Sequence, residues 1–194
     1  MINLAVFASC TGTNFDAIVK AIDDGKLDAK VVLMVCDKSN AKVIDKALKA
    51  NIDTYVFDPK AFSSKMEYDN CIKLECQKRN VDLICLAGYM RIVSNVLLDA
   101  YPNRIINIHP SLLPAFKGKD AIKQAYMYGV KVMGVSIHYV NEDLDGGSII
   151  AQKAFELNDM SFEQAESRIH EIEHELYPNT IKKIIEEDLS LIHI

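Results

Sequence analysis

The chain has 194 residues, 49% of them hydrophobic, and a formal charge of −5 at pH 7, which suffices to bury one full core. A mildly acidic chain without a basic cluster makes a poor nucleic-acid binder, although a local positive pocket for a small phosphate stays open, and no apolar run reaches the roughly 18 residues a bilayer-spanning helix needs. The five cysteines, Cys10, Cys36, Cys71, Cys76 and Cys85, form no C-x-x-C pair, so reduced core thiols in a cytoplasmic protein without a secretion signal are expected rather than a disulfide framework.

The first half alternates short apolar runs with amphipathic stretches, the signature of βαβ units on a parallel sheet. Strands are expected at "NLAVFAS", "KVVLMVC", "TYVF" and "VDLICLA", with helices between them over about residues 14–23, 41–50 and 64–79. After a further strand, "RIINIH", come a loop with two prolines, a short helix over about 121–128, and two strands, "VMGVSIHYV" and "SIIAQKAF", joined by a polar connection. The last helix is expected to start at Ser161, whose spacing from Gln164 suits a capping box, and to kink or end near Pro178. The chain contains no internal repeat, low-complexity tract or linker.

Strand one runs into "SCTGTN", a small polar loop that opens a helix and so points backbone N–H groups and the positive helix end outward. With Gly12 alone it is neither a dinucleotide fingerprint nor a Walker A loop. A monophosphate site and a plain turn capped by Thr13 or Asn14 are equally open. Further on, "INIHPSLLPAF" puts Asn107 and His109 two apart at a strand end, on one face, where parallel sheets keep their active sites. An amide donor beside an imidazole suits carbonyl polarisation and oxyanion stabilisation; the pair alone also fits a reading in which Asn107 satisfies backbone groups and His109 fills a corner before Pro110. "NEDLDGG" sets Asp145 on a flexible turn. Asn141, Asp143, Asp145 and Gly146 match the start of a calcium loop, but Gln152 stands where the bidentate Glu belongs and the flanks read as strands. Glu142 and Asp143 are taken as solvated turn residues.

"NIHPSLLPAF", followed after a short helix by "GVSIHYVNEDLDGG", closely resembles the phosphoribosylglycinamide formyltransferases, folate-dependent enzymes of purine synthesis. The likeness covers nearly the whole chain, including "TGTN" and "LAGYMRIV". It implies a single α/β domain with a Rossmann-like, mostly parallel sheet flanked by helices, residues 1–100 forming a phosphate-binding half and 101–194 a catalytic and folate-binding half. Relatives that act on methionyl-tRNA or hydrolyse formyltetrahydrofolate would carry an extra domain for which this length leaves no room.

What the resemblance implies for individual residues follows motif by motif. Asn107, His109 and Asp145 are the expected catalytic set for attack of the glycinamide ribonucleotide amine on the formyl group of 10-formyltetrahydrofolate, the carboxylate setting the charge state of the histidine. Thr11, Gly12, Thr13 and Asn14 would hold the substrate phosphate, and Gly88 would line its amine-bearing end. Backbone groups of Arg91 and Val93 would read the pteridine edge within walls of Met90, Ile92 and Leu97, with Asn107 also near the folate. Met90 and Ile92 would otherwise be ordinary core. Lys65 stands where family members often carry an Arg toward phosphate or folate tail, a point charge in place of a fork. Lys117, Lys119 and Lys123, where some relatives have histidines, receive no catalytic role. Small-molecule substrates, no metal, no nucleic acid, no membrane, and a monomer or weak homodimer complete the expectation.

"HEIEH", residues 170–174, satisfies H-E-x-x-H, the zinc-protease pattern. Against it, Phe162, Ala165, Ile169, Ile172 and Leu176 make the buried stripe of this helix, which swings His170 and His174 outward and leaves Glu173 at the stripe's margin. A metzincin continuation would also need Gly at Tyr177 and His at Thr180. By resemblance Glu173 would bond the ribose hydroxyls of the substrate, with the histidines as surface residues, and His138 is taken as a satisfied packing residue. Three further readings are carried: formyl transfer to a nucleotide-sugar amine, folate or nucleotide binding without turnover, and a zinc hydrolase.

Overall fold

The computed structural model describes residues 1–192, which group into two compact units, Met1–Asn107 and the described residues from Ile108 onward. In the first, β1 (Ile2–Phe7) lies between β2 (Ala29–Cys36) and β4 (Leu83–Leu86), β3 (Thr54–Val56) pairs outside β2, and β5 (Ile105–His109) pairs outside β4 through residues up to Asn107. All these pairings are parallel. The hydrogen-bonded strand order over the chain is β3-β2-β1-β4-β5-β6-β7, a seven-stranded, mostly parallel α/β sheet. Leu4, Ala5, Val6 and Phe7 are wholly buried, as expected where helices cover both faces of a parallel sheet and the strands read as unbroken apolar runs. The helices are α1 (Thr13–Asp23), α2 (Lys42–Lys49), α3 (Lys65–Lys78) and the six-residue α4 (Asn95–Ala100). Neither α4 nor the short 3-10 turn Pro59–Ala61 was expected from the periodicity.

The second unit holds α5 (Ala121–Tyr128), the antiparallel strands β6 (Val132–Tyr139) and β7 (Ile149–Glu156), and α6 (Phe162–Ile192), which packs on both strands and on α5. The capping box is present: Gln164 N–H donates to Ser161 Oγ at 3.3 Å and Ser161 N–H donates back to Gln164 Oε1 at 2.8 Å. Of the two outcomes expected at Pro178, a helix end is ruled out, because α6 continues through it. Burial of Tyr177, Thr180, Ile181, Ile184 and Ile185 on both sides of the proline favours continuing the helix over one lost backbone bond, and the Thr180 hydroxyl donates to Leu176 O at 2.7 Å. Cys36, Cys76 and Cys85 are buried thiols, whereas Cys10 is exposed and Cys71 half-buried, so the core reading of the cysteines holds for three of the five. Among the described residues no helix is long and apolar enough to cross a membrane.

Candidate active site

The carboxylate of Asp145 organises the second unit's polar centre. Its Oδ2 accepts from Gly118 N–H at 2.8 Å and lies 3.4 Å from His109 Nδ1, while Oδ1 lies 3.5 Å from His138 Nε2. The other His109 nitrogen, Nε2, is 2.9 Å from Phe116 O. Both His109 nitrogens thus face acceptors. His138 Nδ1 lies 2.8 Å from Tyr139 O, and both rings are buried. Burial alone would raise the Asp145 carboxyl, but the hydrogen bonds from His138 and Gly118, together with the charges on His109 and His138, hold it below its ordinary value. Asp145 is therefore an anion throughout the neutral range.

The backbone around this centre is unusual. Phe116 and Asp145 are left-handed at φ 53° and 46°, a conformation uncommon for any residue but glycine. A methyl group on Gly147 would come within 1.7 Å of Tyr139 O, so the turn after Asp145 closes only with glycine there. The 111–115 segment is pinned by two side chains that sequence reading overlooked. Ser136 Oγ donates to Ser111 O at 2.7 Å and accepts from Leu113 N–H at 3.0 Å, and Gln152 Nε2 donates to Leu113 O at 3.0 Å. Asn107 stands two residues before His109 on β5, half-buried, so the two share a strand face.

In the first unit, α1 begins at Gly12, left-handed at φ 72°, and no side chain caps its first N–H groups. Neither Thr13 nor Asn14 caps the helix as the plain-turn reading required. Thr11 and Thr13 are exposed, while the buried Asn14 Oδ1 has no protein partner. After β4, the 88–94 segment is fixed at three points by side chains from elsewhere in the unit. Met90 N–H donates to Ser9 Oγ at 2.9 Å, Arg91 Nε to Asp37 Oδ2 at 2.7 Å, and Ser94 N–H to the buried Asp69 at 2.7 Å. Burial raises the Asp69 carboxyl against the lowering effect of the Ser94 bonds. The Asp37 pair fixes the Arg91 side chain through Nε. Met90 and Ile92 are 52% and 55% exposed, which removes the reading of them as core; Val93 and Leu97 are buried, Gly88 is exposed at φ 77°, and Lys65 is exposed at the start of α3.

A model of the family described as formyl transferase matches residues 2–181. The chain is 48% identical over 186 residues to the phosphoribosylglycinamide formyltransferase of Bacillus subtilis, covering 95% of each chain. It belongs to the formyl transferase family. Two solved structures agree in fold. Glycinamide ribonucleotide transformylase 1 from Geobacillus kaustophilus superposes with TM-score 0.92 at 50% identity, covering 95% of this chain and 98% of its own. The corresponding protein from Symbiobacterium toebii gives 0.93 at 40% identity, covering 96% and 89%.

Against this formyl transferase framework, H-E-x-x-H can be judged by what its side chains do. His170 Nδ1 lies 2.8 Å from Glu173 Oε2, and the His170 and His174 rings stack with centroids 6.5 Å apart. His170 is exposed as expected, but His174 is half-buried with Nε2 inside the protein, a correction to its surface reading. Glu173 is only 5% exposed. His138 is more than a packing residue, since its ring bears on the Asp145 carboxylate. The pattern of β6 alone could not reveal this, because the contact depends on where the 141–147 turn carries Asp145.

Proposed function

We propose that this formyl transferase moves the formyl group of 10-formyltetrahydrofolate to the amine of glycinamide ribonucleotide, a step of purine biosynthesis carried out in the cytoplasm by a monomer or weak homodimer. The observation that carries this reading is His109, held between Phe116 O and the Asp145 carboxylate, two residues along one strand face from Asn107. The substrate amine attacks the formyl carbon and a C–N bond forms. The carbonyl oxygen becomes an oxyanion, stabilised by the Asn107 amide and by His109 Nε2, which turns to it from Phe116 O while Nδ1 stays on Asp145. Asp145 orients the ring and assists transfer of the proton lost by the amine to the departing folate nitrogen as the second C–N bond breaks. The substrate brings its own nucleophile, so no covalent enzyme intermediate is needed.

The uncapped N–H groups of α1, with Thr11, Gly12, Thr13 and Asn14, take the substrate phosphate, and Gly88 lines the amine end. The segment from Met90 to Val93, exposed up to Ile92, takes the pteridine: backbone of Arg91 and Val93 for its polar rim, Met90 and Ile92 for its faces, and Leu97 as buried support. Glu173 accepts from the ribose hydroxyls, and Lys65 attracts anionic groups of phosphate or folate tail. No metal takes part. The test is the rate of tetrahydrofolate release from 10-formyltetrahydrofolate with and without glycinamide ribonucleotide, each with excess chelator. Release that needs the ribonucleotide and ignores chelator is the expected result. Release without acceptor would make the reaction a hydrolysis, and loss of release with chelator would restore the zinc reading.

A further inference from the structure

Glu173 is a carboxylate in a nearly closed setting, and such a group needs a partner. Neighbouring acids on α6 draw theirs from long basic side chains at the surface: Glu171 pairs with Arg168 at 2.8 Å and Glu175 with Lys153 at 2.7 Å. Glu173 is bonded instead by an imidazole, His170 Nδ1 to Oε2 at 2.8 Å, from a ring whose side chain is 47% exposed. The ring is one helical turn before the acid and stacks on His174, one turn further on, with an interplanar angle of 17°. His170 therefore approaches from the solvent side, in an orientation limited by two neighbours on its own helix.

We propose that His170 is a positioning residue: it locks the Glu173 carboxylate through Oε2, so that Oε1 is presented in a fixed direction to the vicinal hydroxyls of a ribosyl substrate. This rests on the reading of Glu173 as the ribose contact. A glutamate has three rotatable bonds, and a carboxylate left to sample them would lose that freedom on each binding event; a partner that fixes it beforehand removes the loss. The imidazole suits the task because its short, flat side chain holds one geometry, whereas a lysine at the same place would keep several. The Glu173 bond, aided by Glu166, raises the His170 ring above its ordinary value against the effect of burial, so the pair gains charge assistance as pH falls toward the ring's titration range.

The test is steady-state kinetics of the full chain for His170→Ala, His170→Gln and Glu173→Gln, with glycinamide ribonucleotide and with an analogue lacking both ribose hydroxyls. His170→Ala should raise KM for the ribonucleotide by roughly five- to tenfold, the effect of one half-exposed charge-assisted hydrogen bond, while kcat and KM for the folate stay within about twofold. His170→Gln, which can still donate to Oε2, should recover most of the loss, and none of the variants should differ from wild type on the deoxygenated analogue. A simple structural role would move all parameters together and would not be rescued by Gln. An active wild type whose ribonucleotide KM ignores His170→Ala, or a Gln variant as poor as Ala, overturns the proposal alone. A wild type that does not use glycinamide ribonucleotide overturns the functional reading and this proposal with it.

Discussion

Replacing Asp145 by Asn tests the centre with little damage to the fold. Asp145 sits at φ 46°, and asparagine tolerates that left-handed conformation nearly as well as aspartate, whereas alanine would add strain. The amide oxygen can still accept from Gly118 N–H, now 2.8 Å from Oδ2, and the amide NH2 would then stand where Oδ1 now lies 3.5 Å from His138 Nε2. What disappears is the negative charge 3.4 Å from His109 Nδ1. A hydrogen bond to a charged group contributes about 1.5–3 kcal/mol, and removing the anion from beside the ring proposed to stabilise the oxyanion should cost the upper part of that range. At about 1.4 kcal/mol per tenfold, the expected fall in kcat is on the order of 10²-fold, with KM for the ribonucleotide changed little. Stopped or continuous absorbance assays of tetrahydrofolate release, with a thermal melt as control, read it directly. A loss of less than about tenfold in a variant that melts like wild type would refute the role given to the carboxylate.

Three other substitutions examine separate links. His109→Ala should lower kcat by at least ~10²-fold with an unchanged fold, because it removes the proposed oxyanion donor, and a smaller loss would shift the chemistry to Asn107. His138→Leu removes the bond that most lowers the Asp145 carboxyl; since a depressed pKa stabilises the fold above the unfolded value and that contribution is lost as pH falls through the folded one, the acid-unfolding midpoint followed by circular dichroism should move to higher pH. Gly12→Ala puts a methyl group 2.5 Å from Val43 Cγ2 in a backbone with φ 72°, so a destabilisation of about 2–4 kcal/mol, or roughly 5–12 °C in the melt, is expected together with weaker ribonucleotide binding.

Much of the fold is legible in the sequence because its strands are buried on both faces and read as uninterrupted apolar runs; β1, β2 and β4 fall within a residue or two of the runs expected. The six-residue α4, with Leu97 its single buried position, is too short for a helical period to register. Pro178 does not end α6, because burial of the residues on both sides outweighs the local rule. At the site, His109 and Asp145 could be found because their side chains are the chemistry. Phe116 O and Gly118 N–H could not, since a backbone group leaves no mark on residue type. Ser9, Asp37 and Asp69 escaped notice because each acts on the 88–94 segment from a distant part of the chain, through contacts set by the order of the strands.

The left-handed residues explain how a loop-built centre can be rigid enough for chemistry. A bulky residue such as Phe116 is disfavoured at φ 53° by about 1–2 kcal/mol, and such a conformation persists only where its surroundings fix it. Here the fixing contacts are those of the site itself: the Phe116 carbonyl faces His109 Nε2, and the Asp145 carboxylate accepts from Gly118 N–H two residues beyond Phe116. Ser136 and Gln152 hold the preceding segment from β6 and β7, so the loop is tied to regular structure at one end and to the polar centre at the other. Relaxing either strained residue would turn a carbonyl or a carboxylate away from an imidazole. Strain and catalytic geometry are therefore maintained by one set of bonds, and a substitution that relieves the strain should lower kcat even where it raises stability.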